Sequence, residues 1–323
     1  TKGRKLYDIC KACPPLKYVL VPLKEHRRLR DMITTWGRKK AFDKFTSEYL
    51  HLTRRYETSD ELRCDPPKAD VYVAGSDQIW NTDSNNGKEP GYYLDFGTAK
   101  KISYAASFAI GQINDEWKQF VKQQLSHFAH ISVREKTGLK ILEDLGFKDA
   151  RQVMDPVFLL DRAEWSSIAK ESKDYGLKDN GYILVYDFLY DERIESLTKK
   201  IAKQKGLPIV SVNDFQSLPY ADKNINDAGP LEFLSLIEHA DTVVCSSFHA
   251  TAFSLIFQKP FYVFPLKNQN NSSRMKDLLN TIKHHERFKS IAPLQNFDYK
   301  DVSAIMKEQV SESKNVLQNY IEF

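Results

Sequence analysis

The sequence predicts an α/β fold in which two doubly wound parallel sheets face a cleft. The chain has 323 residues, which suggests about two domains. Short apolar segments rich in Val, Ile, Tyr and Phe alternate with segments of helical period, as in parallel sheets covered by helices on both faces. This alternation occurs as two series that divide near residues 170–180. We therefore expect an N-terminal domain over residues 1–172, a C-terminal domain over 173–297 and a closing helix over 298–323.

The first series contains four short strand candidates and two helices. The strands are predicted at Asp70–Ala74, Lys101–Ala105, His130–Val133 and Arg151–Met154. The helices are predicted at Asn114–Phe128 and Glu135–Leu145. Asn114 is a common N-cap residue, and Gly146 is typical of the residue that ends a helix.

The second series begins after a turn signal, Asp179-Asn180-Gly181. Its strands are predicted at Tyr182–Tyr186, Pro208–Val212, Asp241–Cys245 and Phe261–Phe264. Its helices are predicted at Asp191–Lys205, Leu231–His239, Phe248–Phe257, Ser273–Ile282 and Asp298–Tyr320. In open parallel sheets, ligands bind beyond the carboxyl ends of the strands, so the functional residues are expected there.

Composition excludes several classes of protein. Hydrophobic residues make up 41% and charged residues 28% of the chain, which excludes wholesale disorder. No run of about 18 apolar residues occurs, so no transmembrane helix is expected. Four cysteines are too few for a disulfide framework and indicate a reducing compartment, which predicts a cytoplasmic location. The net charge of +4 is too small to indicate nucleic-acid binding.

Basic residues concentrate near the start of the chain, in a segment of helical period over about residues 24–50. Such a helix either packs its apolar stripe on a core or lies on an anionic membrane surface. The first interpretation is the more common one. The stripe consists of Leu29, Ile33, Trp36, Phe42 and Phe45.

The first strand end that carries candidate functional residues directly follows Asp70–Ala74. Gly75 permits a sharp backbone turn there. Four polar side chains follow at the mouth of the sheet, which is more than a helix cap needs. They are Ser76, Asp77, Gln78 and Asn81.

The second strand end directly follows Asp241–Cys245. Ser246 and Ser247 begin a helix, whose free N–H groups and dipole favour an anion. His249 lies in the first turn of that helix, close to the expected anion. A bound phosphate would raise the pKa of His249 and allow it to act as an acid.

Two arginines complete the candidate site. Arg134 follows the strand at His130–Val133, where a guanidinium can hold a carboxylate or phosphate bidentately. The alternative is a surface ion pair with Glu135 or another carboxylate. Arg274 follows a polar loop and precedes a helix, so it is also expected to face the cleft. Glycine-rich phosphate loops and a G-x-S-x-G elbow are absent, and no cluster has convincing metal spacing, so no metal site is predicted.

These motifs together resemble the polysaccharide pyruvyl transferase family. The segments that carry the resemblance follow the order of the family over about 200 residues, and each is modest alone but specific in combination. They are Val71–Asn81, Lys101–Phe108, Ile131–Gly138, Val153–Leu160, Cys245–Phe264 and Ser273–Leu279.

The resemblance implies a GT-B-like fold of two Rossmann-like domains around a cleft, with the last helix often crossing back to the first domain. It implies transfer of pyruvyl from phosphoenolpyruvate, with release of phosphate, onto two sugar hydroxyls as a ketal in bacterial exopolysaccharide, capsule or cell wall. It implies no organic or redox cofactor, because phosphoenolpyruvate is the donor substrate. His249 matches the family's histidine and is the expected acid, and Asp77 or Asp155 is the expected base. The expected donor-binding residues are Arg134, Arg274, Ser246, Ser247 and Lys267.

Two departures from the family pattern accompany the resemblance. Many members have an arginine two residues before the histidine, where this chain has Ser247. Arg274 or Lys267 is then expected to supply the missing charge, unless the donor differs. Members also open with a strand and an N-Y-G-x-x-L-Q turn that this sequence lacks, so the first βα unit is expected to be missing from it.

Other functions fit the same pattern. A GT-B glycosyltransferase that uses a nucleotide sugar would have the same two domains. A non-catalytic glycan-binding relative would explain the departure at Ser247. A basic helix that contacts the membrane is compatible with either enzyme, since lipid-linked glycan acceptors lie at the inner face of the membrane.

Overall fold

The structure is a computed structural model that describes residues 36–213, 217–266, 273–290, 292–293 and 298–322. Among the described residues, its first half contains four α-helices: α1 (36–49), α2 (Ser59–Cys64), α3 (Asp115–Leu125) and α4 (Lys136–Leu145). The strands of this half are β1 (Val71–Ala74), β2 (Lys100–Ser103), β3 (Ser132–Val133) and β4 (Arg151–Gln152).

The four strands of the first half lie parallel to one another. β1 pairs with β2, and β3 pairs with β4, both in parallel. Parallel bridges from Ile102 to His130 and from Ala106 to Val133 join β2 to β3. The order is therefore β1-β2-β3-β4, and the carboxyl ends of all four strands meet at one edge. Beneath them Trp80 is fully buried and stacks on Tyr93, with ring centroids 5.8 Å apart.

The second half has a five-stranded parallel sheet in the order β7-β6-β5-β8-β9. These strands are β5 (Ile183–Tyr186), β6 (Ile209–Val212), β7 (Lys223–Ile225), β8 (Thr242–Cys245) and β9 (Phe261–Val263). The helices are α5 (Arg162–Ala169), α6 (Glu192–Lys205), α7 (Pro230–Glu238), α8 (Phe248–Ile256) and α9 (Ser273–Thr281). The chain leaves β5 toward β6 on one side and returns to β8 on the other, so the crevice between β5 and β8 is the topological switch point.

This topology confirms the predicted fold class of two Rossmann-like, GT-B-like halves with parallel sheets. Every residue of β6 and β8 is buried, as expected for strands covered on both faces. The last helix, α10 (Tyr299–Glu322), contacts both halves. The Tyr299 hydroxyl donates to the Lys259 carbonyl at 2.6 Å, and the Tyr320 hydroxyl donates to the Ile131 carbonyl at 3.2 Å.

Three of these elements were not predicted: the strand β7, the helix α5 and the short helix α2. The strand β7 is short and polar at its start, so it lacks the apolar run on which strand prediction relies. The helix α5 begins with a capping box, in which Asp161 and Glu164 satisfy each other's backbone N–H groups. That signal was present in the sequence. Asn114 does occupy the N-cap position of α3, but its side chain makes no capping bond.

The basic segment packs differently from the more common expectation. Trp36 is 70% exposed and Phe42 is 42% exposed, so these stripe residues do not pack on a core. The helix α1 instead packs a small residue, Ala41, against Gly229 of the second half. The approach is so close that a Cβ added at Gly229 would lie only 2.6 Å from the Cβ of Ala41. Leu29 and Ile33 lie outside the described residues. Among the described helices, none is long and apolar enough to cross a bilayer.

Candidate active site

The candidate site lies where the carboxyl ends of both parallel sheets face each other. Asp77 follows β1, Arg134 follows β3 and Asp155 follows β4. His249 lies in the first turn of α8, directly after β8, and Arg274 lies in α9. Residues from both halves therefore meet, because parallel strands all end at the same edge of a sheet.

A tight turn after β1 presents Asp77 to the cleft. Gly75 has a φ of +138°, and a Cβ at this position would lie 2.1 Å from the Tyr104 carbonyl oxygen. Only glycine fits that approach. Asp77 itself has a φ of 66°, in the left-handed region that aspartate tolerates. Its carbonyl accepts from the N–H groups of Ile79 and Ser107, each at 2.9 Å, so the carboxylate stands on a fixed backbone.

Arg134 is buried and bound to two carboxylates. Its side chain is 2% exposed, and its Nη1 donates to Oδ2 of Asp155, which is fully buried. Its Nη2 lies 3.2 Å from Oδ1 of Asp77. The alternative of a surface ion pair with Glu135 is therefore wrong. Asp155 also accepts from the Val157 N–H at 3.1 Å, so it has a structural contact as well.

Arg274 approaches the same carboxylate from the second half. Its Nη1 lies 3.2 Å from Oδ1 of Asp77, the oxygen that Arg134 also contacts. The Phe248 ring lies beneath both guanidinium groups, 4.6 Å from that of Arg134 and 5.7 Å from that of Arg274. Such cation–π contacts hold two like charges side by side. Within the described part of the chain, the Nε atoms of both arginines are buried without a hydrogen-bond partner.

The charges of the site set its protonation states. Burial, and then the charge of Arg134, lower the pKa of Arg274 to about 10, so it stays cationic at neutral pH. Burial would raise the pKa of Asp77, but Arg134 and Arg274 together hold it below its usual value. Burial lowers the pKa of His249 despite the Asp155 carboxylate 3.9 Å from its Nε2. At neutral pH these shifts favour the neutral form of His249 and the ionised form of Asp77.

A cavity of about 440 Å³ opens at these residues. This volume falls within the usual range for small-molecule sites. Its wall combines polar groups from both halves with an apolar side. The lining residues are Asp77, Gln78, Ser246, Ser247, His249, Arg274, Phe188, Leu189, Phe248, Leu266 and Met275.

The remaining predicted site residues have structural contacts or lie elsewhere. Ser247 caps α8, because its Oγ accepts from the Ala250 N–H at 3.3 Å. Ser246 accepts from the Phe188 N–H at 3.3 Å. Asn81 donates to Gln78 Oε1 at 3.2 Å and is not among the residues that line the cavity. Ser76 is half-buried beside Asp77, also outside the lining, and Lys267 lies outside the described residues.

The sequence analysis did not predict the structural role of Glu135, which is to hold a loop beside Asp77. This residue is fully buried, and burial raises the pKa of its carboxyl. Its Oε1 accepts from the Ser107 hydroxyl at 3.0 Å, the Phe108 N–H at 2.9 Å and the Ala109 N–H at 3.1 Å. Glu135 thus holds the loop whose Ser107 N–H in turn binds the Asp77 carbonyl. The Val-Arg-Glu-Lys motif places Glu135 at the end of a strand, but it does not predict the hydrogen bonds that Glu135 accepts.

Metal binding finds no support in the described residues, which contain no group of three or more His, Cys, Asp or Glu side chains placed to hold an ion. Two Rossmann-like halves, with arginines, carboxylates and a histidine meeting between them, define a two-domain α/β transferase. The sequence matches the family described as polysaccharide pyruvyl transferase over residues 4–268. The chain belongs to this family, as its motifs predicted. No curated protein matches the sequence.

Solved structures with a similar overall course of the chain include sugar-nucleotide enzymes. UDP-N-acetylglucosamine 2-epimerase from Rickettsia bellii is 11% identical, with a TM-score of 0.45 over 81% of this chain and 76% of that one. UDP-GlcNAc 2-epimerase from Methanocaldococcus jannaschii is 11% identical, with a TM-score of 0.42 over 78% and 71%. The wall teichoic acid polymerase TagF is 10% identical, with a TM-score of 0.41 over 79% and 72%.

Proposed function

We propose that this transferase moves the pyruvyl group of phosphoenolpyruvate onto two hydroxyls of a sugar, forming a cyclic ketal and releasing phosphate. The acceptor is a sugar of a cell-surface polysaccharide or of its lipid-linked precursor. One observation carries the proposal. Arg134 and Arg274, both buried and from opposite halves, meet at one carboxylate oxygen of Asp77, and Asp77, Arg274 and His249 line one cavity.

The donor carries a carboxylate and a phosphate, and both need cationic partners. The Asp77 side chain, 62% exposed, now bridges the two guanidinium groups. A donor anion would take that position, and Asp77 can turn toward the cavity because its side chain is open to solvent. The Ser247 hydroxyl is already engaged in capping α8, so Arg274 supplies the cation that many relatives have at that position.

His249 is the proposed acid. It is neutral in the free protein, and a bound phosphate would raise its pKa and add a proton. The protonated ring then transfers its proton to the methylene carbon of the donor, so that C2 becomes oxocarbenium-like. One acceptor hydroxyl forms a bond to C2 and loses its proton to a carboxylate. The C2–O bond to phosphate then breaks, the second hydroxyl oxygen bonds to C2 in its place, and the proton of that hydroxyl goes to the departing phosphate.

The geometry favours Asp77 over Asp155 as the base. Asp155 is fully buried and bound to Arg134, whereas Asp77 lines the cavity with an exposed carboxylate. Asp155 instead lies 3.9 Å from His249 Nε2, where its negative charge favours the protonated ring. The reaction as written uses only groups of the chain, the donor and the acceptor, and it calls for no further cofactor.

A phosphate-release assay tests the proposal. The intact protein is incubated with phosphoenolpyruvate and a panel of mono- and oligosaccharides, in parallel with UDP- and GDP-sugars. We expect phosphate to appear only with phosphoenolpyruvate and an acceptor. Turnover of a nucleotide sugar without consumption of phosphoenolpyruvate would identify a glycosyltransferase instead. Sugar binding without turnover of either donor would identify a non-catalytic relative.

The helix α1 supports a second proposal, about where the enzyme acts. Trp36 and Phe42 are exposed beside Arg38, Lys39 and Lys40. Exposed aromatic side chains next to basic ones suit the surface of an anionic bilayer, where a lipid-linked acceptor would lie. We propose peripheral contact with the inner face of the cytoplasmic membrane through this helix.

A further inference from the structure

An exposed apolar loop forms one wall of the cavity. The loop between β5 and α6 carries three consecutive apolar or aromatic side chains, Phe188, Leu189 and Tyr190, which are 41%, 48% and 37% exposed. It follows the central strand of the second sheet, at the topological switch point. Phe188 and Leu189 line the same cavity as His249 and Arg274. Contiguous exposed apolar side chains commonly mark a binding site.

The backbone of this loop is held in place by buried groups. Asp187 is 5% exposed, and its two oxygens accept from the N–H groups of Leu189 at 3.1 Å and Asp191 at 2.7 Å. The Phe188 N–H donates to Ser246 Oγ, and the Tyr190 hydroxyl donates to the Ser217 carbonyl at 2.6 Å. The fold therefore orders the loop and still leaves its apolar side chains in water, at a cost in hydrophobic free energy.

The ring of Phe188 is also oriented from behind. Its centroid lies 4.6 Å from that of Tyr186, which lies 5.1 Å from that of Phe233. These rings form a row from the core to the wall of the cavity. The lining of the cavity thus includes charged groups, Arg274 and Asp77, and apolar ones, Phe188 and Leu189.

We infer that Phe188 and Leu189 form the platform on which the acceptor sugar ring lies. A pyranose has one face of C–H groups, which matches an aromatic ring, and a rim of hydroxyls, which matches polar side chains such as Gln78 and Asp77. A ring on the platform would present its hydroxyls to Asp77 and Arg274, which line the same cavity and would bind the proposed donor. The inference rests on the proposed pyruvyl transfer and identifies the acceptor as a pyranoside.

Binding of sugars to the wild-type protein and to variants tests this inference without turnover. The probes are both anomers of methyl glucopyranoside, galactopyranoside and mannopyranoside. UDP and ADP test the alternative that the loop binds a nucleotide. Saturation-transfer NMR measures the binding. Phe188→Ala should weaken sugar binding about three- to tenfold, the value of one aromatic contact, and Phe188→Trp should retain it. Tyr92→Ala removes an equally exposed aromatic ring, 41%, outside the cavity lining and should change nothing.

Three results would overturn the inference. The first is that no methyl pyranoside binds to the wild type. The second is that Phe188→Ala binds sugars as tightly as the wild type does. The third is that Phe188→Ala loses binding of a nucleotide but keeps its binding of sugars. Calorimetry with phosphoenolpyruvate on the same proteins keeps the two proposals apart. If the wild type binds sugar but no phosphoenolpyruvate, the platform stands and the proposed donor fails.

Discussion

Asp77 and Arg274 are separated by 197 residues, yet Oδ1 of one lies 3.2 Å from Nη1 of the other. The pair joins the two halves at the site. Arg134, from the same half as Asp77, contacts the same carboxylate oxygen. The carboxylate therefore occupies, in the free protein, the place between two cations that an anionic donor needs.

Asp77→Asn should separate donor binding from turnover. The amide no longer neutralises the two guanidinium groups, so phosphoenolpyruvate should bind more tightly. Turnover should fall by about 10²–10⁴-fold, because the amide cannot accept the acceptor proton. Calorimetry and steady-state kinetics on one preparation measure both effects. Weaker donor binding with unchanged turnover would show that Asp77 is neither a displaced anion nor the base.

His249→Ala should remove the proposed acid while the fold survives. His249 is only partly buried, with 37% of its side chain exposed, so truncation leaves no large void. We expect kcat to fall by about 10²–10⁴-fold in the phosphate-release assay, with an unchanged circular dichroism spectrum. His127→Ala, at an exposed position in the first half, is the matched control. Near-wild-type turnover of His249→Ala would exclude this residue as the acid.

Donor binding should take up a proton. Burial keeps the pKa of His249 below its usual value in the free protein, and a bound phosphate would raise it. A group that gains a proton on binding makes affinity fall as pH rises, so phosphoenolpyruvate should bind less tightly at pH 9 than at pH 7.5. Calorimetry in two buffers of different ionisation enthalpy, above about pH 7.5 where the phosphate is fully ionised, measures the uptake. The uptake should vanish in His249→Ala, and its persistence there would point to another group.

Glu135→Ala should destabilise the first half. Its Oε1 accepts three hydrogen bonds, and truncation leaves the Phe108 and Ala109 N–H groups buried without that partner. The expected loss in the free energy of unfolding is about 1–3 kcal/mol, measured by urea denaturation. Glu135→Gln keeps the acceptor oxygen and should restore most of that loss. Equal stability of Glu135→Ala and wild type would show that the loop does not depend on this carboxyl.

Changing Trp36 and Phe42 together to Ser should weaken binding to anionic vesicles. The two rings are exposed, so the double variant should keep its thermal stability. Cosedimentation with vesicles of phosphatidylglycerol measures the loss, and phosphatidylcholine vesicles provide the uncharged comparison. Exchanging Tyr92, an exposed aromatic residue of another segment, for Ser is the matched control. Unchanged sedimentation of the double variant would exclude α1 as the contact.

The sequence by itself determined the fold class and the edge of the sheets where the candidate site lies. Apolar runs such as Thr242–Cys245 predict parallel strands, and parallel strands end on one edge whatever their spatial order. Asp77, Arg134 and His249 could therefore be placed at that edge from their positions in the chain. The family also followed from these segments, since their residues and their order are read directly from the sequence.

Only the tertiary structure decided which of these groups touch. The contact of Arg134 with Asp155, and the three hydrogen bonds to Glu135, depend on the packing of strands that are remote in sequence. The neutral state of His249 likewise depends on burial, which no local pattern reports. The exposure of Phe188 is the clearest case. Its position at the cavity wall depends on hydrogen bonds of Asp187 and Ser246 to its loop and on the Tyr186 ring behind it.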